Sequence, residues 1–239
     1  MEEFDVQSID TNQLNFEKQF EPNTHIININ GDKCVDLDFN LNLNIDLSKY
    51  KKLTNLQIIN YNKVKFINYP ESLNNIFCLE TYLDLTNLTD NIQIITVCFS
   101  NYSDEDFLNL PTCLVKLDCS HNNIKKLDNL PFNLNELNCS NNNIVYLDNL
   151  PESLVKLDCS YNKLISLDNL PRGLKYLNCD HNKIILLNSL PDSLEEVFAK
   201  SNNIDSIDRL PKSLTRANFT SNPLIKSPKV PNLLIHCCY

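Results

Sequence analysis

Residues 151–170 read PESLVKLDCSYNKLISLDNL, and versions of this 20-residue unit fill the C-terminal half of the chain. Residues 111–130 match it at 13 of 20 positions. Two sets of residues recur at a constant interval of 20 residues. They are the prolines Pro111, Pro131, Pro151, Pro171, Pro191, Pro211 and Pro231 and the leucines Leu114, Leu134, Leu154, Leu174, Leu194, Leu214 and Leu234. Such a period is the signature of a repeat protein, in which each unit packs on its neighbours.

Each unit predicts one short strand followed by an extended return. Leu157 and Cys159 alternate with polar residues, which is the pattern of a strand with one buried face. Twenty residues are too few for a strand, a long helix and two loops, and proline fixes φ and removes a donor. We therefore predict a curved solenoid, a horseshoe. Short parallel β-strands should line its concave face, and its convex side should be extended or polyproline-like, with little helix.

The pattern LxxLxLxxNxL, present as Leu154, Leu157, Cys159, Asn162 and Leu164, resembles the leucine-rich-repeat family. The short period and the Leu-Pro step are similar to repeats of secreted bacterial effectors and of giant-virus proteins. The resemblance implies a scaffold that recognises proteins with its concave face. It also implies an asparagine ladder, in which carboxamides pair with buried turn amides and carbonyls. The ladder residues would be Asn122, Asn142, Asn162, Asn182, Asn202 and Asn222.

We predict one continuous solenoid in three parts. Residues 1–50 are expected to form an N-terminal cap, in which alternating apolar residues around Asn30-Gly31 predict a β-hairpin. Residues 51–110 hold irregular leucine-rich repeats whose register over residues 80–105 stays open, with residues 103–106 as a return loop. Residues 111–239 hold six regular repeats and a truncated seventh.

Composition and charge exclude several classes of protein. Leu and Asn occur 38 times each but Ala only twice, which argues against a helical bundle. Two glycines cannot build a glycine-rich phosphate loop. A net charge of −9 argues against nucleic-acid binding, and no apolar run is long enough for a membrane span. The acidic N-terminus does not resemble a secretion signal, so we expect an intracellular, cytoplasmic protein, in the host cytoplasm if the chain is viral.

The cysteines predict a structural column rather than a reactive site. Cys119, Cys139, Cys159 and Cys179 recur at the inward strand position, and Ala199 and Phe219 continue the column. Cysteine is a common small buried residue, so we favour core packing. A metal or redox site is the alternative, although Cys-x-x-Cys spacing is absent.

No catalytic constellation is visible. The only histidines are His25, His121, His181 and His236, and His121 lies three units from His181, roughly 14 Å away. We therefore expect no catalytic residue, no cofactor and no metal, and we predict that the protein is not an enzyme.

The outward strand positions are the candidates for binding. The first three regular units repeat Ser120, Ser140 and Ser160 with Asp or Asn two residues earlier, as on a generic hydrated surface. The unusual residues come later, and aromatic residues are enriched at interface hot spots. We predict a partner site on the concave face formed by Tyr161, Tyr176, Asp180, His181, Glu196, Phe198 and Lys200. Scattered exposed aromatic residues without a partner remain the alternative.

The sequence thus predicts a non-catalytic protein-interaction scaffold whose partner is a protein. A second hypothesis is an effector or adaptor that recruits a partner to a host ubiquitin ligase. A third, less favoured, is a cysteine-based metal or redox protein. Self-association through an uncapped C-terminal edge is a further expectation, because the chain stops inside its seventh unit.

Overall fold

The fold is a stack of short parallel strands. The computed structural model describes residues 26–30, 44–59, 63–207 and 209–225, and within them thirteen strands form two parallel sheets. The longer sheet contains ten strands, which are β1 (Ile26–Asn30), β3 (Asn55–Ile59), β5 (Asn75–Leu79), β7 (Ile94–Cys98), β8 (Lys116–Asp118), β9 (Glu136–Asn138), β10 (Lys156–Asp158), β11 (Tyr176–Asn178), β12 (Glu196–Phe198) and β13 (Arg216–Asn218). The shorter sheet contains β2 (Asn44–Asp46), β4 (Lys63–Ile67) and β6 (Tyr82–Leu83).

The strand register places one buried column at the centre of the regular sheet. Leu157 pairs with Leu137 on one side and Leu177 on the other. Their side chains are at most 1% exposed, whereas the flanking strand residues face outward. A single unit could not bury this face, so the stacking of units supplies the core.

The return side of each unit contains a tight turn at the proline. In the third regular unit the Leu154 amide donates to the Pro151 carbonyl at 3.0 Å. The chain then enters the next strand, where the Lys156 amide donates to the Asn135 carbonyl at 3.1 Å. Among the described residues the helical structure consists of one 3-10 segment, Asp104–Phe107. The predicted solenoid, with parallel strands and little helix, is confirmed.

The structure supplies the register that the sequence left open. Ile95 of β7 pairs with Leu117 of β8, so this unit is 22 residues long instead of 20. The Asp104–Phe107 segment lies in this longer unit and anchors it by burying Phe107. The segment predicted as a return loop, residues 103–106, overlaps this 3-10 turn. Asp106 accepts a hydrogen bond from the Ser103 amide at 2.8 Å, which stabilises the helical turn.

The N-terminal part already contains sheet structure. β1 pairs in parallel with β3 over Ile26–Asn30 and forms the first described strand of the long sheet. The second arm of the predicted hairpin, Val35 to Phe39, lies outside the described residues, as does the truncated seventh unit. The division at residues 50 and 110 stays a prediction.

Candidate functional site

The asparagine column binds backbone groups of two neighbouring units. The Asn162 Nδ2 donates to the carbonyls of Cys139 at 2.9 Å, Cys159 at 3.1 Å and Ser160 at 3.2 Å. Its Oδ1 accepts the Ile144 amide at 2.9 Å. The same four contacts recur in each interior unit, and Asn222 at the end of the described stack makes them too, although it is only half-buried.

Upstream, smaller side chains occupy the ladder positions. The β7 register places Ser100 in the Asn122 position, and its amide donates to the Asn122 Oδ1 at 3.1 Å. Ser100 Oγ in turn accepts the Thr81 amide at 2.9 Å. The Ser100 and Thr81 hydroxyls each donate to the carbonyl two residues earlier, as the asparagines do, so hydroxyl side chains continue the ladder for two units before the first asparagine. Sequence analysis missed these residues because the changed unit length breaks the period.

The cysteine column lies inside the core. Cys119, Cys139, Cys159 and Cys179 are each 0% exposed. The Cys159 thiol donates to the Asn178 carbonyl at 3.4 Å. Burial raises the pKa of the Cys159 thiol well above its usual value, since a thiolate would lose its hydration there. Such thiols are poor nucleophiles and poor metal ligands.

The residues just after the strands form a rim column with a left-handed backbone. Tyr161 has φ of 53° and His181 has φ of 55°. Asn141 and Ser201 make the same turn, so the turn does not require an aromatic ring. Nevertheless Tyr161 is 52% exposed and stacks on His181 with ring centroids 4.3 Å apart. The left-handed region disfavours residues with a bulky side chain, which makes exposed rings here a feature to explain.

A second aromatic pair lies on the strands of the concave face. The rings of Tyr176 on β11 and Phe198 on β12 are 5.8 Å apart and tilted by 46°. Lys156 Nζ lies 5.4 Å from the Tyr176 ring, and the Arg216 guanidinium lies 5.3 Å from the Phe198 ring. Glu196 pairs with Arg216 at 2.9 Å. This concave aromatic cluster, Lys156, Tyr176, Glu196, Phe198 and Arg216, therefore spans four adjacent strands.

Asp180 and Lys200 lie beside the rim pair, and the Tyr161 amide donates to the Asp180 carbonyl at 2.8 Å. The Asp180 carboxylate accepts the Lys200 backbone amide at 2.6 Å, and the His181 amide donates to the Lys200 carbonyl at 2.8 Å. Burial raises the pKa of the Asp180 carboxyl above its usual range, even though the Lys200 amide favours the charged form. The structure thus places a poorly hydrated acidic group beside Tyr161 and His181.

The seven residues proposed from the sequence fall into two groups. Tyr176, Glu196 and Phe198 belong to the concave aromatic cluster, whereas Tyr161 and His181 lie at the rim with Asp180 and Lys200. Asn178 pairs with Phe198, and His181 follows three residues later, so the two groups are separated by roughly 10 Å along the strand. A partner in contact with both groups would cross the edge of the sheet. Lys156 and Arg216, which complete the concave aromatic cluster, were not among the sequence-derived candidates.

The outward polar groups in the N-terminal half of the regular concave face are paired with each other, as they are on β10 to β13. Lys116 and Glu136 form an ion pair at 3.0 Å, and Asn138 donates to Asp118 at 2.9 Å. The serine column is 4–7% exposed, because Ser120 and Ser160 turn their hydroxyls onto Asp118 and Asp158. The expectation of a generic hydrated serine surface was therefore wrong. Among the regular strands the outward aromatic rings lie on β11 and β12, but the rim column also carries a stacked pair at this end, Phe99 on His121, with ring centroids 4.0 Å apart.

The described residues also bear on metal binding and on membrane insertion. No group of three or more His, Cys, Asp or Glu side chains there could hold a metal ion. No helix in the same part of the chain has the length and apolar character needed to cross a membrane.

Comparisons with known proteins agree with this geometry. The FNIP repeat family matches residues 161–199, the segment that carries both aromatic pairs. YopM from Yersinia enterocolitica superposes with a TM-score of 0.64 at 26% identity, covering 81% of this chain and 48% of that chain. YopM from Yersinia pestis, described as a leucine-rich effector protein, gives 0.62 at 29% identity, covering 81% of this chain and 62% of that one. The chain has the leucine-rich-repeat fold.

A third leucine-rich-repeat structure shows the fold alone. It is the functional domain of InlJ from Listeria monocytogenes, which includes a cysteine ladder; its TM-score is 0.54 at 22% identity, covering 84% of this chain and 50% of that one. The present chain spans 48% of the Yersinia enterocolitica structure and 62% of the Yersinia pestis one. A search of the curated proteins finds no significant match. Solenoids of this kind present extended concave surfaces for binding, so the fold is typical of a binding scaffold.

Proposed function

We propose that this leucine-rich-repeat protein is a non-catalytic scaffold that binds a protein partner on its concave face. The observation that carries the proposal is the concave aromatic cluster. Two half-buried rings contact each other and are flanked by cations, on strands whose other outward groups are paired. A partly desolvated aromatic centre with a charged rim is the arrangement in which protein interfaces concentrate binding energy.

The rim pair extends this site. Tyr161 and His181 are already stacked, so little side-chain entropy remains to be lost when a partner covers them. Neither ring is required by the turn it occupies, since Asn141 and Ser201 adopt the same backbone conformation. We therefore include Tyr161, His181, Asp180 and Lys200 in the proposed site as its outer part.

The proposal predicts that removing the concave rings weakens partner binding. Affinity purification from the native cell with mass spectrometry would identify the partner, and titration calorimetry with the purified partner would measure the affinity. Tyr176→Ala combined with Phe198→Ala should cost at least about 2 kcal/mol, roughly thirtyfold in Kd. Thermal stability should change little, because half-exposed positions contribute less to folding than buried ones.

Phe132 offers a matched control. It is an aromatic residue that is 72% exposed on the return side, ahead of β9. Phe132→Ala should leave the Kd unchanged. Normal binding by the double variant, with binding lost in Phe132→Ala, would show that the partner uses the convex side. Recovery of ubiquitin-ligase subunits with the partner would instead support the adaptor hypothesis, which requires a second binding surface.

A further inference from the structure

A separate apolar patch lies on the flank of the solenoid, just after the asparagine ladder. We call it the flank patch, and it consists of Val145, Tyr146, Ile165, Ile185 and Leu186. Tyr146, Ile185 and Leu186 are 51–54% exposed, and Ile165 is 37% exposed. Neighbouring units are in contact here, since the Ile185 amide donates to the Ile165 carbonyl at 3.4 Å. The Lys163 amide donates to the Ile144 carbonyl at 2.9 Å, so the unit of Val145 is joined to that of Ile165 as well, and the patch spans three stacked units.

The repeat fold does not require apolar residues at these positions. The unit before the patch has Lys125 and Lys126 at the equivalent places, and the unit after it has Asp205 and Ser206. Lys126 is paired with Asp128 at 2.8 Å, so Lys125 supplies the basic end of the flank patch and Asp205 the acidic end. Its exposed apolar area is on the order of 400 Å², within the range of the largest, often functional, patches on monomeric proteins.

The order of the side chains is complementary to itself. Two copies can face each other across a two-fold axis that lies in the interface, perpendicular to the stack and level with Ile165. The two stacks then run antiparallel. A residue one or two units before the axis in one copy faces the residue at the same repeat position one or two units after the axis in the other copy. Lys125 lies opposite Asp205, Val145 opposite Ile185, and Tyr146 opposite Leu186. Ile165 lies opposite its own copy.

We propose that the flank patch is a homodimer interface with this antiparallel arrangement. A parallel arrangement would place Lys125 against Lys125 and Asp205 against Asp205, which repel each other. The antiparallel arrangement instead gives two Lys–Asp pairs at the ends of an apolar centre. Because a standard interface buries about 800 Å² per partner, roughly twice the apolar area available here, the dimer should be weak, with a Kd of about 10–100 µM.

Sedimentation velocity on the full chain, from about 1 µM to several hundred µM, tests the proposal. The wild type should pass from monomer to dimer over this range. Ile165→Lys puts two lysines together at the axis and should weaken dimerisation at least about tenfold. Ile185→Asp should also weaken dimerisation. The fold should tolerate this change, because the next unit has Asp205 at the equivalent position. Circular dichroism would establish that each variant is folded.

A charge exchange tests the antiparallel arrangement. Lys125→Glu alone and Asp205→Lys alone should each weaken the homodimer, because like charges then meet. An equimolar mixture of the two variants should restore wild-type affinity as a heterodimer, since both end pairs become opposite in sign again. Lys212→Glu makes the same charge change on an exposed residue outside the patch and should have no effect.

Three outcomes would overturn the proposal. The first is that the chain stays monomeric at every concentration. The patch would then be covered by another protein or by the chain's own terminal segments instead of a second copy. The second is a dimer that is insensitive to both Ile165→Lys and Ile185→Asp. The third is a loss of dimer in Lys125→Glu that mixing with Asp205→Lys does not restore. The Tyr176→Ala and Phe198→Ala double variant should still dimerise, which separates this interface from the concave site.

Discussion

Asp180 shows how one residue can depart from the repeat pattern at a cost. Ser120, Ser140 and Ser160 occupy its position in the preceding units, and their hydroxyls are neutral. Asp180 brings a carboxylate into the same half-buried position, and burial raises the pKa of this carboxyl. The charged form is therefore less favourable in the folded chain than in the unfolded chain, where the pKa is about 3.9.

The raised pKa of Asp180 predicts a pH-dependent effect of its removal. Above the folded pKa, wild type carries the cost of a desolvated carboxylate, whereas Asp180→Asn keeps an oxygen that accepts the Lys200 amide. Asp180→Asn should therefore have a higher Tm than wild type at pH 7. The difference should disappear as the pH falls below about 4, where the carboxyl is protonated in both states.

Asp168→Asn is the control for this comparison, because it removes the same charge from an exposed position on the return side. Thermal unfolding followed by circular dichroism from pH 3 to pH 8 would give the difference in Tm. If Asp180→Asn raises the Tm no more than Asp168→Asn does, the effect is explained by a lower net negative charge, and the burial of Asp180 contributes nothing.

At the scale of the elements, the turns after the strands depend on their neighbours. Each ladder asparagine bonds to carbonyls of its own turn and of the preceding unit, and it accepts an amide from that preceding unit. A turn is therefore complete only when the adjacent unit is in place. Coupling of this kind between adjacent units makes the stability of a solenoid depend on its interfaces.

The ladder predicts a difference between an interior and an end position. Asn162→Ala leaves the Ile144 amide without its acceptor in a buried turn and removes one of the donors to each of three carbonyls, so it should cost about 1–3 kcal/mol in the free energy of unfolding. Asn222→Ala removes equivalent contacts from a half-buried turn that water can reach, so it should cost less. Urea denaturation would measure both values.

Asn203→Ala is a suitable control for the ladder variants, because Asn203 is exposed and lies next to a ladder asparagine. It should change the free energy of unfolding by less than about 0.5 kcal/mol. Equal losses in Asn162→Ala and Asn222→Ala would contradict a ladder whose contribution depends on burial.

At the scale of the whole molecule, the buried Leu and Cys columns are shielded from solvent only while neighbouring units remain packed on each other. The Leu column and the cysteine column run through consecutive units and belong to one continuous core. The stack must open locally before a reagent can reach Cys119, Cys139, Cys159 or Cys179. Labelling of these thiols therefore reports on the opening of the solenoid.

Thiol labelling under native conditions should distinguish the core column from an exposed cysteine. Cys113 is the exposed cysteine of the described residues, so it should react quickly, and the four column thiols should react only slowly or in denaturant. Peptide mapping by mass spectrometry would assign the labelled sites, and Cys113→Ser should remove the corresponding fast phase. Fast labelling of all four column thiols, or one zinc bound per chain, would contradict a purely structural column.

The strand positions, the buried Leu column and the side-chain columns of the regular units could be predicted from the sequence by itself. The reason is that in a solenoid each residue's main neighbours lie one period away, so a strict 20-residue period converts sequence position into spatial position. Where a unit changed length, as at β7, this conversion failed. Only the tertiary structure then showed that Ser100 and Thr81 begin the ladder.

Tertiary structure alone also decided how the side chains meet. The period placed Tyr161, Tyr176, His181 and Phe198 on neighbouring units, but it did not show that they form two separate pairs. It likewise could not show that the serine hydroxyls turn inward onto aspartates or that Lys156 and Arg216 lie over the aromatic rings. These features depend on side-chain torsions and on competition between partners, whereas the backbone register depends only on the repeat.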